Sequence, residues 1–578
     1  MKEILIKALR SALGELPEGT KVEKPKEEAH GDLATNVAFL LARKLRKPPH
    51  EIARELASRL SESPYFKSVE AVKGFINVRF SEELLKEEFS RLILEGGHYF
   101  KQDLGKGERV QLEFVSANPT GPLHLGHGRG AAVGDALARI MSFLGWRVER
   151  EYYVNDAGRQ VYLLGLSVYY RYLELCPSRD ERLFEQVKQR FEQDGYRGEY
   201  VKELAGRLYG LIGDALCGSG DLKRVKELLL ERESLPLYYL KRYEQKSPEE
   251  LCADYALDLM LKEIKEDLKL MGVEFDRWFS ERSLYDEGLV DEVIELLKKK
   301  GFVYEKDGAL WLATSRFGDD KDRVLRRSDG SYTYFASDVA YHYQKARRGY
   351  DRVIDVWGAD HHGYVPRVRA ALKMLGLPDG WLEVLLVQMV RLFRKGQEVK
   401  MSKRTGSFVP LRELLNEVGP DAVRFTFLTK RSDTPLDFDV ELVKEKSSEN
   451  PVFYVQYAHA RISGILREFK KHEGELPTYE QLAQAVRNLT DEEGLKLIKE
   501  ALFFKDELAE AALRREPHRV TYYLIELASA FHPYYNRHRI LGAPTRELAL
   551  ARLALVTGLR EVFRLGLNLL GVTAPERM

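Results

Sequence analysis

Cysteine is nearly absent: Cys176, Cys217 and Cys252 are the only three in 578 residues. None belongs to a C-x-x-C pair and they stand far apart. That spacing argues against a zinc knuckle and against a disulfide scaffold, and leaves buried thiols as the expectation. An excess of one charge is missing too. Lys and Arg total 91 against 90 Asp and Glu, a net of +1, so no global field advertises a polyanionic partner and nucleic acid would have to be met by local patches. No uninterrupted apolar run approaches membrane-spanning length. The opening MKEILIKALRSALGEL patterns as an amphipathic helix, not as a leader with an apolar core. Together these absences predict a cytoplasmic protein with no membrane partner. Repeats and low-complexity tracts are also missing. Asn is scarce beside abundant Lys, Glu and Arg, a composition that leans toward a heat-adapted source.

What is present is the composition of a folded enzyme, 44% apolar and 31% charged, in a chain too long for one hydrophobic core. Residues 1–107 read as a small α/β domain. Leu33, Val37, Leu40 and Leu41 keep helical spacing, Pro48-Pro49 breaks it, Ile52, Leu56 and Leu60 restart it, and Gly74 to Phe80 alternates as a strand. Residues 108–395 read as a doubly wound, Rossmann-like parallel sheet. Val110, Leu112 and Phe114 alternate, a turn-rich Ser116 to Pro122 follows, and a helix starts near His124. A nearly continuous helical stretch from about 161 to 269 interrupts the alternation as an insertion. Strand signals resume at Tyr332 to Phe335, Arg352 to Trp357 and Val384 to Val387. Residues 396–444 hold a basic loop and a connecting region, and 445–578 predict an all-α bundle. The fold class is thus α/β and multidomain, with a helical C-terminal domain.

Two short motifs carry chemistry. His124-Leu125-Gly126-His127 puts two imidazoles on one side of a helix start, where free amides and the helix dipole favour phosphate. Gly126 lets a flat group approach the backbone, and the histidines can donate to oxygens that gain charge at the α-phosphate. Alone, the motif also fits two capping histidines or a metal pair. Lys400-Met401-Ser402-Lys403-Arg404 lies in a glycine-flanked loop, with two lysines able to reach a triphosphate and neutralise a leaving pyrophosphate. Alone, it also fits a solvated basic turn.

HLGH and KMSKR resemble the HIGH and KMSKS signatures of class I aminoacyl-tRNA synthetases. SANPTGPLHLGHGRGAAVGD, YYVNDAGRQ, SDGSYTYFASDVAYH and VWGADHHGYVPR are similar to the arginyl-tRNA synthetase family in particular, and the likeness runs to the closing LLGVTAPERM. Arg404 departs from the usual serine and leaves both lysines in place. The resemblance implies ATP as substrate with Mg²⁺, L-arginine and tRNA(Arg) as partners, a monomer, and exchange of pyrophosphate that depends on tRNA. His124, Gly126, His127, Lys400 and Lys403 would be catalytic. ATP would also meet Gly358, Asp360, Met401 and Ser402.

Arginine is a planar, permanently charged fork, so its pocket needs carboxylates set for paired hydrogen bonds. By the resemblance, Asp338 and Tyr334 address the guanidinium with Glu113 as second carboxylate, while Asn118 and His361 hold the α-amino end. Taken alone, Asp338 also fits a helix cap, Tyr334 a core residue and Glu113 a surface ion pair. In the C-terminal segment aromatics interleave with bases, and from Phe531 onward seven Arg stand against three Glu. Tyr457, Arg461, Tyr535, Asn536, Arg537 and Arg539 are candidates to stack on splayed bases and take phosphates, though many neighbouring aromatics must pack the bundle. The N-terminal domain resembles the family module that meets the corner of the tRNA. Two other readings stay open: a catalytically inactive paralogue that binds RNA, and a nucleotidylyltransferase of the same superfamily.

Overall fold

The computed structural model describes residues 1–218, 222–232, 246–400 and 408–578. The chain divides into two compact units, Asp103–Glu445 and a second made of Met1–Gln102 with Lys446–Met578.

The first unit is built on a parallel sheet of five strands, in the spatial order Leu382–Val387, Arg352–Gly358, Arg109–Glu113, Arg147–Val154, Arg277–Ser280. From the central strand Arg109–Glu113 the chain crosses first to one side and later to the other. Strand order therefore reverses between Glu113 and Asp355, which are register partners, and the crevice at the carboxyl ends of these strands is where such sheets bind ligands. The helix Leu125–Phe143 follows the central strand and lies hard upon it. A side chain at Gly134 would come within 2.2 Å of the Phe114 ring, so only glycine permits that approach. Arg129 of this helix is completely buried and donates to the carbonyls of Gln388, Thr434 and Arg431 at 2.7–2.9 Å, tying the helix to the segments on both sides of the basic loop.

The insertion is helical as expected, with Arg159–Glu174, Glu181–Asp194, Glu199–Ile212 and Pro248–Leu270 around a core of its own that includes Leu164, Tyr169, Leu208 and Tyr255. It also overturns the cysteine reading. Cys176 and Cys217 form a disulfide across 41 residues, and only Cys252 is a free, buried thiol. Both bonded cysteines sit in loops that flank packed helices, and their juxtaposition is purely tertiary. No local spacing signals it.

Two further differences have local causes. Leu33 belongs to the strand Leu33–Thr35, paired with Val78, and the helix begins only at Val37. Tyr332 to Phe335 is not a strand: Thr333 caps a helix, accepting from the Ala336 amide at 3.3 Å, so Tyr334–Arg347 is helical and Asp338 lies in its second turn. Short antiparallel strands at Val303–Lys306, Ala309–Leu312 and Arg323–Arg326, and a small sheet of Val390–Arg394, Gln397–Val399 and Leu436–Asp439, went unforeseen.

In the second unit a four-stranded antiparallel sheet and its helices pack on the long helices Pro451–Glu473, Glu492–Leu513, His518–Arg537 and Arg546–Leu569. The rings of Phe100 and Phe504 meet edge to face at 5.2 Å, Lys499 pairs with Asp32 at 2.8 Å, and a side chain at Gly558 would collide with Phe89. The two ends of the chain, expected as two domains, thus pack into one compact unit. Among the described residues, no helix is long and apolar enough to cross a membrane.

Candidate active site

Immediately beyond the central strand the backbone turns sharply. The Ser116 amide bonds the Phe114 carbonyl at 3.0 Å around Val115, whose φ is 68°. That is a γ-turn in the left-handed region, a strained choice for a β-branched residue. Ser116, with φ 41°, is held by its own hydroxyl, which donates to Glu113 Oε1 at 3.0 Å and accepts from the Tyr153 amide at 3.0 Å. Residues 118–123 then lead into the helix start.

There His124 is the N-cap. Its Nδ1 accepts from the Gly126 amide at 3.1 Å, while His127 Nδ1 accepts from the His124 amide at 3.2 Å, and the two rings stack at 3.6 Å. With both Nδ1 atoms acting as acceptors, hydrogen bonding assigns each neutral ring its proton on Nε2. Gly126 is tight against this pair, for an added side chain would stand 3.0 Å from His124 Cε1. The described residues that follow the basic segment come to the same place. The Leu411 amide donates to the Leu123 carbonyl at 2.8 Å, and Pro410 bridges His124. Lys400 is exposed at the other root of that segment. Met401, Ser402, Lys403 and Arg404 lie outside the described residues.

Asp338 is part-buried and faces a pocket of acids and phenols. Tyr364 Oη donates to its Oδ2 at 2.5 Å, and burial raises the Asp338 carboxyl above its usual range. Glu281, at the start of the short helix Glu281–Asp286, is buried, and its Oε2 has no hydrogen-bond partner among the described residues. Burial, followed by the like charge of Asp338, pushes Glu281 up to about 8. Ser337 and Tyr153 lie against this carboxyl and favour its charged form, but an acid buried beside a second one is costly unless a cation joins them. Tyr334 is 57% exposed, beside Gly158. Asn118 is exposed and donates to Gln160 at 2.5 Å. Gly358, Asp360 and His361 lie on the exposed turn that follows the strand Arg352–Gly358, and a side chain at Gly358 would stand 2.5 Å from Asp360.

Glu113 has partners the sequence did not foresee. Lys345 Nζ bonds Glu113 Oε2 at 2.6 Å and Asp355 Oδ1 at 2.8 Å, all three buried, and His342 Nε2 meets Asp355 Oδ2 at 2.7 Å. Despite burial, Asp355 and Glu113 raise Lys345, while Lys345 and His342 hold Asp355 down to about 2. Glu113, sharing that single ammonium, is pushed up by its burial to about 7. His342 Nδ1 meets the Asp338 carbonyl at 2.8 Å, so the cluster braces the helix that carries Asp338. Asp338, His342 and Lys345 keep helical spacing, a polar stripe that the sequence itself displays. Glu281 and Tyr364 had no such signal.

In the helical bundle, Arg461 lies between the rings of Tyr457 and Tyr535, 4.8 and 5.0 Å from their centres, and bonds His532 Nδ1 at 3.1 Å. Asn536, Arg537 and Arg539 are exposed nearby in sequence, with Arg537 paired to Glu493 at 2.9 Å. Phe531 and Tyr534 are core residues.

Three family profiles match: "Arginyl tRNA synthetase N terminal domain" over residues 1–80, "tRNA synthetases class I (R), catalytic domain" over 88–204 and 240–461, and "DALR anticodon binding domain" over 455–578. An arginine–tRNA ligase of Aquifex aeolicus is 67% identical over 580 residues, covering 100% of this chain and 99% of that one. One from Geobacillus thermodenitrificans is 44% identical over 588 residues, covering 100% and 99%. Among solved structures, Thermus thermophilus arginyl-tRNA synthetase superposes with a TM-score of 0.74 at 25% identity, covering all of both chains. A Campylobacter jejuni protein described as a putative arginyl-tRNA synthetase gives 0.73 at 36%, covering 86% of this chain and 100% of that one.

Proposed function

The chain belongs to the arginyl-tRNA synthetase family and joins arginine to tRNA at the expense of ATP, and from that premise we propose how its residues divide the work. The observation that carries the proposal is the return of Pro410 and Leu411 to the Leu123–His124 turn, which sets the root of the lysine segment beside the paired histidines. ATP lies over the helix start, between Gly126 and the turn bearing Gly358 and Asp360. The arginine carboxylate attacks the α-phosphorus; a carboxylate oxygen–phosphorus bond forms, the bond to the β-phosphate oxygen breaks, and pyrophosphate leaves. His124 and His127 donate from Nε2 to the oxygens gaining charge, where pre-aimed donors act most strongly, and Lys400 and Lys403 take the leaving group with Met401 and Ser402 alongside. The terminal ribose 2′-hydroxyl of the tRNA then attacks the arginyl carbonyl, loses its proton, and AMP departs.

Asp338 and Glu281 receive the guanidinium, whose charge offsets the desolvation of both acids. Tyr334 lies against it, and Asn118 and His361 take the α-amino end. Glu113 contributes through the turn and Lys345 it holds. Mg²⁺ is assigned to the triphosphate as part of the substrate, and no step is routed through it. Tyr457, Arg461, Tyr535, Asn536, Arg537 and Arg539 meet tRNA(Arg), stacking bases and pairing phosphates. The enzyme works as a cytoplasmic monomer. An inactive paralogue and a smaller nucleotidylyltransferase are not favoured, since class I catalytic and anticodon-binding profiles both match. Pyrophosphate exchange measured with each amino acid, with and without tRNA, tests the proposal. Of the amino acids only arginine should support exchange, and only with tRNA present; activity with any other amino acid in its place would overturn the proposal.

A further inference from the structure

Asp338 is the acid around which the pocket is organised, yet one of its oxygens is already engaged by Tyr364 Oη at 2.5 Å. The phenol making that bond is held firmly. Arg367 lies 4.7 Å over its ring, and Phe335 and Trp357 meet it at 6.2 and 6.1 Å between centres. Tyr364 also ends the turn Ala359–Tyr364, the turn assigned to ATP and the α-amino group. We propose that Tyr364 is a positioning residue for arginine selection: by occupying Asp338 Oδ2 it fixes the carboxylate so that the guanidinium meets Oδ1 alone and spans to Glu281 with its remaining N–H groups. This rests on the assignment of Asp338 to the guanidinium.

The chemistry follows from the donors. A carboxylate with both oxygens open can rotate and accept an ammonium as well as a guanidinium. One pinned at a single oxygen cannot rotate to follow its ligand. The second acid then demands a planar, wide donor, which arginine has and lysine lacks. A phenol suits the task because it stays a neutral donor. Burial and the adjoining Asp338 charge push its ionisation far above the ordinary phenol range. Other charged groups facing this pair are His342 and Lys345 on the Asp338 helix, Asp355 on the neighbouring strand, and Arg367 and Arg323 around the ring, with Glu281 opposite.

Tyr364→Phe removes one oxygen and keeps the ring, and Asp338→Asn is measured beside it. Steady-state constants for arginine and ATP, inhibition by lysine, the pH profile of kcat/KM for arginine and the melting temperature are read for both. Tyr364→Phe should raise the arginine KM roughly tenfold, the scale of one hydrogen bond to a charged group, with the ATP KM and melting temperature unchanged. Lysine should inhibit better. The acid limb of kcat/KM should move to higher pH, because a donor favouring ionised Asp338 is gone. If Asp338→Asn raises the arginine KM while Tyr364→Phe leaves both that constant and the acid limb at wild type, the positioning role is overturned. If arginine and ATP constants rise together and melting falls, Tyr364 is a packing residue and the role is overturned again. If neither variant moves the arginine KM, the pocket assignment itself has failed.

Discussion

Glu281→Gln probes the second carboxylate through its proton. The free protein holds Glu281 near about 8, so at pH 7 roughly one molecule in eleven carries the charge a guanidinium needs, and at pH 9 roughly ten in eleven do. If only the ionised form binds arginine, the competent population rises by about tenfold across that range and the arginine KM falls by the same factor. The variant should show a higher KM that no longer carries this slope. Arginine's own amino group and Glu113 titrate nearby, but identically in both proteins, so the difference between the two profiles isolates Glu281. Stability supplies a second reading with a fixed sign. The folded-state value lies above the unfolded one of 4.5, so the contribution of this carboxyl is fully present below pH 4.5 and is lost as pH rises through about 8. Glu281→Gln should therefore melt relatively higher at pH 9 than at pH 4.5, each compared with wild type. Exchange kinetics with saturating ATP and tRNA between pH 7 and 9, with melting curves alongside, decide it. A flat wild-type KM, or a variant that keeps the tenfold slope, would refute the assignment of Glu281 to the guanidinium.

Three further outcomes are expected. Lys403→Ala should slow single-turnover adenylate formation by about a hundredfold or more, the scale of one lost transition-state donor, while the arginine KM moves little; a near-wild-type rate would remove Lys403 from the chemistry. In Gly126→Ala the new methyl group stands 3.0 Å from His124 Cε1 and must displace the ring, so kcat should fall. Alanine is the better helix former by about 0.8–1.0 kcal/mol, so melting should hold or rise, and a loss of both would mean the helix start had collapsed. Lys345→Met strands two buried acids, and removing one partner of such a cluster costs about 3–5 kcal/mol. Urea unfolding that shows a loss under about 1 kcal/mol would mean the lysine is not their counter-ion.

The architecture was legible where periodicity ran long. The central strand, the helix after His124, the helical insertion and the C-terminal helices all announce themselves by spacing. It failed where side-chain chemistry sets the local state. At Ser331-Tyr332-Thr333-Tyr334, alternating polar and aromatic residues imitate a strand, but Thr333 caps a helix and carries Asp338 one turn deeper. The two motifs told which residues to look for; Met401, Ser402, Lys403 and Arg404 lie outside the described residues, and what the fold adds is the bond to Leu123 from Leu411, close after them in sequence. Glu281 carried no signal, and Tyr364, though inside VWGADHHGYVPR, carried no role, because their meaning is positional: one is an acid at the start of a short helix, the other a phenol closing a turn, and each gains a role only when the fold sets it against Asp338. Glu113 shows the converse. Its place at the strand end was plain, yet its partner Lys345 lies 232 residues away.

The disulfide in the insertion changes how this chain should come apart. Cys176 and Cys217 close a 41-residue span inside a segment that already has its own apolar core. In the chain-entropy description such a closure removes about 4 kcal/mol of freedom from the unfolded ensemble, and the benefit falls on the insertion rather than on the sheet. The insertion, with its own core and cross-link, is a block expected to open separately from the sheet. Thiol reductants should therefore lower the protection of the insertion more than that of the sheet, which hydrogen exchange with and without reductant would show. The Tyr200 hydroxyl, donating to the Thr120 carbonyl at 2.6 Å, links the reducible block to the turn that leads into His124. Loss of the insertion's order would reach the turn before His124 through that bond.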